Sequence, residues 1–487
     1  MKSSVQSNNT SLPQSDIRTF LGWTLALIVP MLVYFLFHQS NPAAAARSTG
    51  IFIGVVALAV CIWVFDLTPA FVPALLIIIV TILFDVVPKD VALSGFTSDA
   101  FFICLAIFIF AAQVASSGLI YRAALLFMRW LPESNLSQSL IVFASGTVLT
   151  TIIPSPLGRS ALLNPLVFDL IDKTHKTDGK KIETTPLIIS GLQGTTLLST
   201  IFLTGNPLNL VMLGFFTTQT QYRFQWLNWL QATLIVGVIL VAGYLAILVW
   251  QARKSNLQPM AKTQIDELLN KLGPVKNSEW GALIGMTVFG VGILTQSYHH
   301  IEPVWLAFGI ALVLYLYGAL TARDLRSNVD WPTLLFVAAI VSWGPIMNSL
   351  HLNTLIGNQV KALKLDVLMQ NSFLLGIGFL ALIIILIRFV FPGGPTFIIL
   401  MSALIPLANS TGISPWVLGF IALTISEGFI LPYQHGAFSL MVEELKTRGL
   451  EDTYNMSDIL ISNALLLALR VVAIYVTILY WKAIAIL

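Results

Sequence analysis

Charge is scarce in this chain. Asp, Glu, Lys and Arg make up only 10% of the 487 residues, whereas a soluble domain carries about 25%, and 56% of the residues are hydrophobic. A surface with so little charge could not stay hydrated, which argues against a soluble globular enzyme and against a disordered chain. The net formal charge of +3 is too small to favour nucleic acid as a partner. A polytopic membrane protein remains.

Cysteine and the common enzyme motifs are also nearly absent. Cys61 and Cys104 both lie in apolar runs, which argues against a disulfide scaffold and indicates small core residues. The sequence has no Gly-x-x-x-x-Gly-Lys-Ser/Thr loop, no His-Glu-x-x-His and no Gly-x-Ser-x-Gly. We therefore expect no ATP-driven pump, no enzyme and no cofactor apart from a coupling ion such as Na⁺. A channel and a membrane enzyme acting on lipid-linked substrates stay open as alternatives.

Long hydrophobic runs are abundant. A helix that crosses the bilayer core needs roughly 20 apolar residues, at about 1.5 Å of rise each. Runs of this kind occupy residues 19–37, 50–65, 68–86, 99–118, 138–171, 185–217, 226–249, 280–296, 304–319, 331–349, 371–406, 413–440 and 459–480.

Four of these runs are interrupted by proline and glycine. Runs 138–171 and 371–406 are too long for one crossing and contain Pro154-Ser155-Pro156-Leu157-Gly158 and Pro392-Gly393-Gly394-Pro395. Each predicts a helical hairpin that enters the membrane and returns. Runs 185–217 and 413–440 contain Gly205-Asn206-Pro207 and Pro432-Tyr433-Gln434-His435-Gly436, and each predicts a broken helix. The prediction is an all-α polytopic membrane protein with eleven transmembrane helices and two re-entrant helical hairpins.

The second half of the chain repeats the order of the first. Residues 1–49 would form an N-terminal tail and the first helix, and residues 251–279 a charged linker. Residues 50–250 and 280–487 would each hold five crossings, including one broken helix, together with one hairpin. Because five is odd, the two repeats would have opposite orientations, which is typical of secondary transporters.

The basic residues predict the orientation. Most of the 26 Lys and Arg residues fall in loops on the same side as the N-terminus, and basic loops tend to stay in the cytoplasm. We expect a cytoplasmic N-terminus with its tail retained, hairpin 138–171 on the cytoplasmic side and hairpin 371–406 on the outer side. The expected location is a bacterial inner membrane.

Interrupted helices leave backbone groups without partners, which is tolerated only beside protein or a water-filled cavity. The free N–H groups of a returning helix suit an anion, and the exposed carbonyls of an entering helix suit sodium. The predicted substrate contacts are Ser155, Arg159, Ser160, Asn206, Pro207, Asn209, Gly393, Gly394, Thr396, Pro432, Gln434 and His435. The predicted ligands of a coupling ion are Ser155, Leu157, Gly205, Gly394, Thr396 and Glu427.

Arg159 and Glu427 are the charged candidates. An arginine at membrane depth is costly unless paired, and its guanidinium matches a carboxylate or sulfate bidentately. Alternatively, Arg159 extends to the cytoplasmic face or pairs with an acidic residue. Glu427 could neutralise Arg159 or Arg388, ligate a cation or carry a proton. His435 could titrate near neutral pH or serve as a hydrogen-bonded structural group.

Two stretches resemble a known family, the divalent anion:sodium symporters. Thr204-Gly205-Asn206-Pro207-Leu208-Asn209 is similar to the family's Gly-Thr-Pro-Pro-Asn type of break, and Leu431-Pro432-Tyr433-Gln434 is similar to its second break. The order of helices, hairpins and broken helices resembles the family over the whole chain. The hairpin tips differ from the family's Ser-Asn-Thr. They read Ser155-Pro156-Leu157 and Pro392-Gly393-Gly394-Pro395-Thr396, so only Ser155 matches.

The resemblance implies a secondary transporter that moves di- or tricarboxylates or sulfate with sodium by alternating access. It also implies a homodimer and an elevator-like motion. Sodium-independent exchange of one anion for another is the nearest alternative, because Arg159 could replace the requirement for a cation.

Overall fold

The computed structural model describes residues 14–40, 45–175, 183–255, 259–362, 364–391 and 393–487. Every regular element within these ranges is helical. The chain divides into two units, Met1–Leu93 and Ser94–Leu487. The first unit contains α1 (Gln14–Ser40), α2 (Ala45–Phe65), α3 (Phe71–Leu83) and α4 (Lys89–Ala92).

The second unit holds the remaining helices. Its first part contains α5 (Asp99–Ser117), α6 (Leu119–Trp130), α7 (Asn135–Ile152), α8 (Pro156–His175), α9 (Thr185–Thr196), α10 (Pro207–Gly214), α11 (Thr218–Arg223), α12 (Trp226–Lys254), α13 (Lys262–Leu272) and α14 (Asn277–Leu294). Its second part contains α15 (Gln296–His299), α16 (Pro303–Leu316), α17 (Ala322–Ser327), α18 (Trp331–Val341), α19 (Trp343–Ser349), α20 (Leu352–Ala362), α21 (Leu365–Asn371), α22 (Phe373–Arg388), α23 (Gly393–Thr411), α24 (Pro415–Ser426), α25 (Gly436–Thr447) and α26 (Met456–Ala483). Short 3₁₀ turns occupy Ser94–Thr97, Leu203–Gly205, Pro432–Gln434 and Glu451–Thr453.

Apolar helices of membrane-spanning length confirm the prediction of an all-α polytopic membrane protein. Among the described residues, 7 helical segments are long and apolar enough to cross a bilayer: Thr19–Gln39, Arg47–Phe65, Asp99–Ser117, Trp226–Lys254, Trp331–Ser349, Gly393–Thr411 and Met456–Ala483. Shorter apolar helices are Phe71–Leu83, Pro303–Leu316, Phe373–Arg388 and Pro415–Ser426. The count of eleven crossings and the inverted repeats stay predictions.

Each predicted hairpin consists of two helices around a short interruption. Residues 153–155 separate α7 from α8, because Ile153 is extended and Pro154 has no N–H to continue the helix. Residues 389–392 separate α22 from α23, and Pro392 lies outside the described residues. The remaining prolines and glycines of each interrupted stretch belong to the returning helix, since α8 begins at Pro156 and α23 at Gly393. Proline fits in the first turn, where N–H groups have no intrahelical acceptor.

Each predicted broken helix has two α-helical halves. Residues 197–206 separate α9 from α10, and residues 427–435 separate α24 from α25. Both second halves begin with a side-chain cap. Asn206 Oδ1 and His435 Nδ1 each accept a hydrogen bond from the backbone N–H two residues further on, at 2.9 and 3.3 Å. These caps satisfy donors that the interruption would otherwise leave free.

The predicted linker contacts both α6 and the first hairpin. It contains α13, which packs on α6. Arg122 of α6 is buried and donates from Nε to Glu279 Oε1 at 2.6 Å. Gln138, near the start of α7, exchanges two hydrogen bonds with the backbone of Met260, at 2.8 and 3.1 Å.

α7 and α9 pack with their backbones in contact. A Cβ on Gly146 would lie 2.6 Å from the carbonyl carbon of Gly194, and a Cβ on Gly194 would lie 2.8 Å from Phe143 O. Both neighbouring atoms belong to the backbone and cannot move aside. Glycine at these two positions therefore holds the entering helix of the first hairpin against the first broken helix.

We expect Gly146→Ala to lower the midpoint of thermal unfolding of the detergent-purified protein. The added methyl group overpacks the contact, which destabilises a core by about 1–3 kcal/mol. Gly290→Ala is the matched control, because Gly290 is an exposed residue of α14 and a Cβ there meets no atom within 4 Å. Alanine favours a helix over glycine by about 1 kcal/mol, so the control should keep or raise its midpoint. Equal midpoints for the two variants would contradict the packing argument.

Candidate functional site

Arg159 fastens the tip of the first hairpin to the first broken helix. Its side chain is fully buried. Nε and Nη2 donate to Thr195 O at 2.9 and 2.6 Å, and Nη2 also donates to Ser199 Oγ at 2.8 Å. Nη1 donates to Gly205 O at 2.7 Å and to Ile153 O. These bonds use all five N–H groups of the guanidinium, so Arg159 presents no free donor to a ligand in this structure.

Arg388 fastens the second tip to the second broken helix. It is buried, and its Nη1 donates to Phe391 O at 2.9 Å. Nη2 donates to Gly428 O at 3.2 Å and to Gln434 O at 2.9 Å. Gln434 Nε2 donates back to Arg388 O at 3.1 Å. Each tip is therefore held by an arginine to the broken helix that follows it.

Arg470 of α26 joins the two broken helices to each other. Its Nη1 donates to Thr424 O, near the end of α24, at 3.1 Å. Its Nη2 donates to Leu197 O, just past the end of α9, at 3.3 Å. Arg470 was not among the residues assigned to the site from sequence. The available signal was an arginine in the middle of an apolar helix, which is costly unless its charge is compensated.

Asn206 and Glu427 connect the two breaks directly. Asn206 Nδ2 donates to Glu427 Oε2 at 2.6 Å, and both side chains are buried. Among the described residues Glu427 forms no ion pair, but its charge acts electrostatically on Arg159, Arg388 and Arg470. We call these three arginines and Glu427 the charge cluster. Its formal charge is +2, three positive charges and one negative.

Two amide side chains close the breaks on themselves. Asn209 Nδ2 donates to Ser199 O at 2.9 Å and to Phe202 O at 2.8 Å. Gln434 Oε1 accepts from the N–H groups of Ile430 and Leu431 at 2.7 and 2.9 Å. These bonds satisfy backbone groups that non-helical chain would leave unpaired, as burial requires.

The other predicted residues lie at the same interruptions. Ser155 Oγ accepts from the Gly158 N–H at 3.2 Å, and Ser160 Oγ hydrogen-bonds Thr195 Oγ1 at 3.0 Å. The ring of His435 packs 4.6 Å from that of Phe429. Leu157 is in the first turn of α8, Gly205 and Pro207 flank Asn206, Pro432 is in the second break, and Gly393, Gly394 and Thr396 begin α23.

Two close approaches show that the four interruptions converge. A Cβ on Gly393 would lie 3.0 Å from Ser426 O, so the second tip meets the end of α24. A Cβ on Gly436 would lie 3.7 Å from Leu157 Cδ1, so the first tip faces the start of α25. Together with the arginine contacts, these approaches form one composite site from both halves of the chain.

A cavity of about 490 Å³ lies at the first tip. Ser155, Leu157 and Gly158 line one side of it, and Asp330 and Pro332 at the start of α18 line another. The first tip therefore lies on the wall of a cavity, whereas the side chains of the charge cluster are buried.

A second cavity, of about 300 Å³, is lined by Met347 and Asn348 of α19 and by Asn409 of α23. Asp330 and Asn348 are near opposite ends of one span, about 27 Å apart at 1.5 Å per residue. The described lining of neither cavity includes the second tip.

We expect Arg159→Lys to lower the thermal unfolding midpoint. Lysine keeps the charge but concentrates its donors on one nitrogen, so it cannot reach acceptors on the tip and on both ends of the break. Each buried acceptor left unpaired costs about 1–3 kcal/mol. Arg326→Lys, at an exposed position of α17, is the matched control. An Arg159→Lys protein as stable as this control would show that the five bonds do not hold the tip.

Known proteins resemble this chain over long stretches. Over 256 residues it is 25% identical to the citrate/succinate antiporter of Escherichia coli, a match that covers 51% of this chain and 52% of that protein. It is 27% identical over 276 residues to the chloroplastic dicarboxylate transporter 2 of Spinacia oleracea, covering 54% and 48%. It is 21% identical over 265 residues to the L-tartrate/succinate antiporter of Escherichia coli, covering 53% and 54%. The chain thus spans about half the length of these curated relatives.

One family match covers nearly the whole chain. Residues 18–487 match the family described as the sodium:sulfate symporter transmembrane region. This match confirms the resemblance that the two breaks indicated. The chain belongs to this family of divalent anion:sodium symporters.

Proposed function

We propose that this protein is a secondary transporter that exchanges small dicarboxylate anions across the membrane by alternating access. The observation that carries the proposal is the charge cluster, which lies where two hairpin tips and two broken helices converge. Enzymatic turnover and channel conduction are the remote alternatives. Neither function requires buried, unbalanced charge where interrupted helices converge.

The charge of the cluster supports exchange. Three buried guanidinium groups and one buried carboxylate sum to +2. The helix ends at the interruptions change this sum little, because four N-terminal and four C-terminal ends carry partial charges of about +0.5 and −0.5 each. Unbalanced buried charge is unfavourable in a low-dielectric interior, so an unloaded site is poorly suited to cross the membrane. A dicarboxylate brings the sum to zero, and a site that crosses only when loaded exchanges one anion for another.

The arginines also occupy carbonyl groups that a hard cation would need. Arg159 bonds Ile153 O and Gly205 O, and Arg388 bonds Phe391 O and Gly428 O. Sodium is coordinated by such oxygens at the ends of interrupted helices. With fixed cations on these carbonyls, transport has less need of a sodium ion.

We place the substrate at the cavity beside the first tip. α8 begins there, and the positive dipole end of a helix favours an anion. Pro156 has no N–H and the Gly158 N–H is bonded to Ser155 Oγ, so the dipole is the main contribution of this terminus. Ser155 adds a hydroxyl group at the same edge of the cavity. Arg159 lies behind the tip, where it acts on the anion through its charge and by holding the tip in place.

Sodium-coupled symport is the second candidate. The family description names a sodium:sulfate symporter, whereas two of the relatives are named as antiporters. In a symporter the coupling ion would be held by oxygens of Ser155, Leu157, Gly205, Gly394, Thr396 and Glu427.

We further propose a homodimer in a bacterial inner membrane, with a cytoplasmic N-terminus and the first hairpin on the cytoplasmic side. The hairpins and broken helices would move as one block against the remaining spans, in an elevator-like motion. The fastening of both tips to both breaks supports a block that moves as a unit.

Replacing external sodium with choline should leave exchange intact. Proteoliposomes loaded with unlabelled succinate should take up labelled external succinate at the same rate in either salt, and vesicles without internal anion should take up little. Liposomes without protein are the control. Uptake that requires sodium and proceeds into anion-free vesicles would establish symport instead. Absence of uptake for every di- and tricarboxylate and for sulfate would overturn the transporter proposal.

Glu427→Gln should shift preference toward more highly charged anions. Glutamine can still accept the bond from Asn206, but the charge of the cluster rises from +2 to +3, one unit more than in the native protein. At about 4 Å and an effective dielectric of about 20, one unit charge changes an interaction by about 4 kcal/mol. We therefore expect the exchange rate of citrate relative to succinate to rise at least about tenfold. Glu443→Gln, at an exposed position of α25, is the matched control. An unchanged ratio would contradict charge matching.

A further inference from the structure

The cavity at the first tip carries one titratable side chain among its described lining residues. That residue is Asp330, while the rest of the lining is apolar, hydroxyl, amide or glycine. Phe108 and Ala111 of α5 form part of the apolar wall. The described lining of the second cavity contains no charged side chain. The two ends of the span thus present different charges to an anion.

Asp330 is held in place by a helix cap. Its Oδ1 accepts from the Thr333 N–H at 3.1 Å, and its Oδ2 accepts from Thr333 Oγ1 at 2.7 Å. No basic side chain in the described part of the chain forms an ion pair with it. A neutral asparagine or serine caps a helix about as well as aspartate. The negative charge therefore exceeds what the cap requires.

The Asp330 charge lies where it would repel an anion bound at the first tip. An anion at the N-terminus of α8 lies in the same cavity as the Asp330 carboxylate. Coulomb repulsion grows in proportion to the charge of the anion. A trianion is repelled more strongly than a dianion of similar size, and a partly hydrated cavity weakens this difference without removing it.

We propose that Asp330 is a specificity-determining residue that makes this mouth of the site favour dicarboxylates over tricarboxylates. The inference rests on the proposed transport of carboxylates. Asp330 does not touch the anion. It acts across the cavity through its charge, opposite the N-terminus of α8.

The test compares anion affinities of Asp330→Asn and the native protein in detergent, where both faces are accessible. Displacement of labelled succinate by unlabelled succinate and by citrate, at an alkaline pH where citrate is fully ionised, gives the ratio of the two affinities. We expect Asp330→Asn to tighten citrate about fivefold relative to succinate, the size expected for one charge across a hydrated cavity. Asp330→Glu keeps the charge and should keep the native ratio.

Two further variants make the result decisive. Asp324 is the partner of the N-cap Thr321 in the capping box of α17 and does not line the cavity, so Asp324→Asn should leave the ratio unchanged. Asp330→Ser replaces the cap with another good one and should behave as Asp330→Asn does, which keeps the test valid should one variant fold poorly. If the affinities for citrate and succinate change equally or not at all, the inference is overturned. Binding of succinate by the native protein would still uphold the proposed function in that case. A native protein that neither binds nor exchanges any carboxylate overturns the proposed function, and the inference with it.

Discussion

Backbone that leaves the helical conformation inside a membrane protein must find other hydrogen-bond partners. In this structure three buried arginines supply partners for carbonyls at all four interruptions. Arg159 and Arg388 each donate to carbonyls of one hairpin tip and one break, and Arg470 donates to carbonyls of both broken helices. A guanidinium suits this task because its five N–H groups point in several fixed directions. The convergence of the tips and breaks depends on these contacts.

The same solution places charge where an anion carrier can use it. The arginines satisfy the carbonyls without being neutralised, because only Glu427 opposes them within the charge cluster. The arginines that the interrupted backbone needs as hydrogen-bond donors therefore leave an excess positive charge, which a bound anion would balance. In our proposal the anion meets Ser155 and the start of α8, while the arginines act from behind the tip. The residues that contact the substrate are thus different from the residues whose charge determines which anion is favoured.

Equivalent contacts recur in the two halves of the chain. Arg159 and Arg388 fasten the tips, Asn209 and Gln434 close the breaks, and Asn206 and His435 cap the second half of each broken helix. Such pairing supports the proposed inverted repeats. The two tips differ in the space beside them, since a cavity of about 490 Å³ lies at the first tip, whereas the one lined by Arg388 and Phe389 at the second tip has only about 10 Å³. The Asp330 charge adds a further difference between the two ends.

The sequence alone determined the membrane class, the family and the places where helices stop, because hydrophobic runs, proline and glycine act locally along the chain. Pro154 and Asn206 mark a tip and a break without any knowledge of the fold. Tertiary structure decided what the polar side chains do there. Arg159 was a candidate substrate ligand, but in the structure its donors bind carbonyls of the first tip and the first broken helix and the hydroxyl group of Ser199. This role depends on how the hairpin and the broken helix pack together, which the sequence does not reveal. Arg470 and Asp330 joined the site only through folding, because α26 and α18 reach it from remote parts of the sequence.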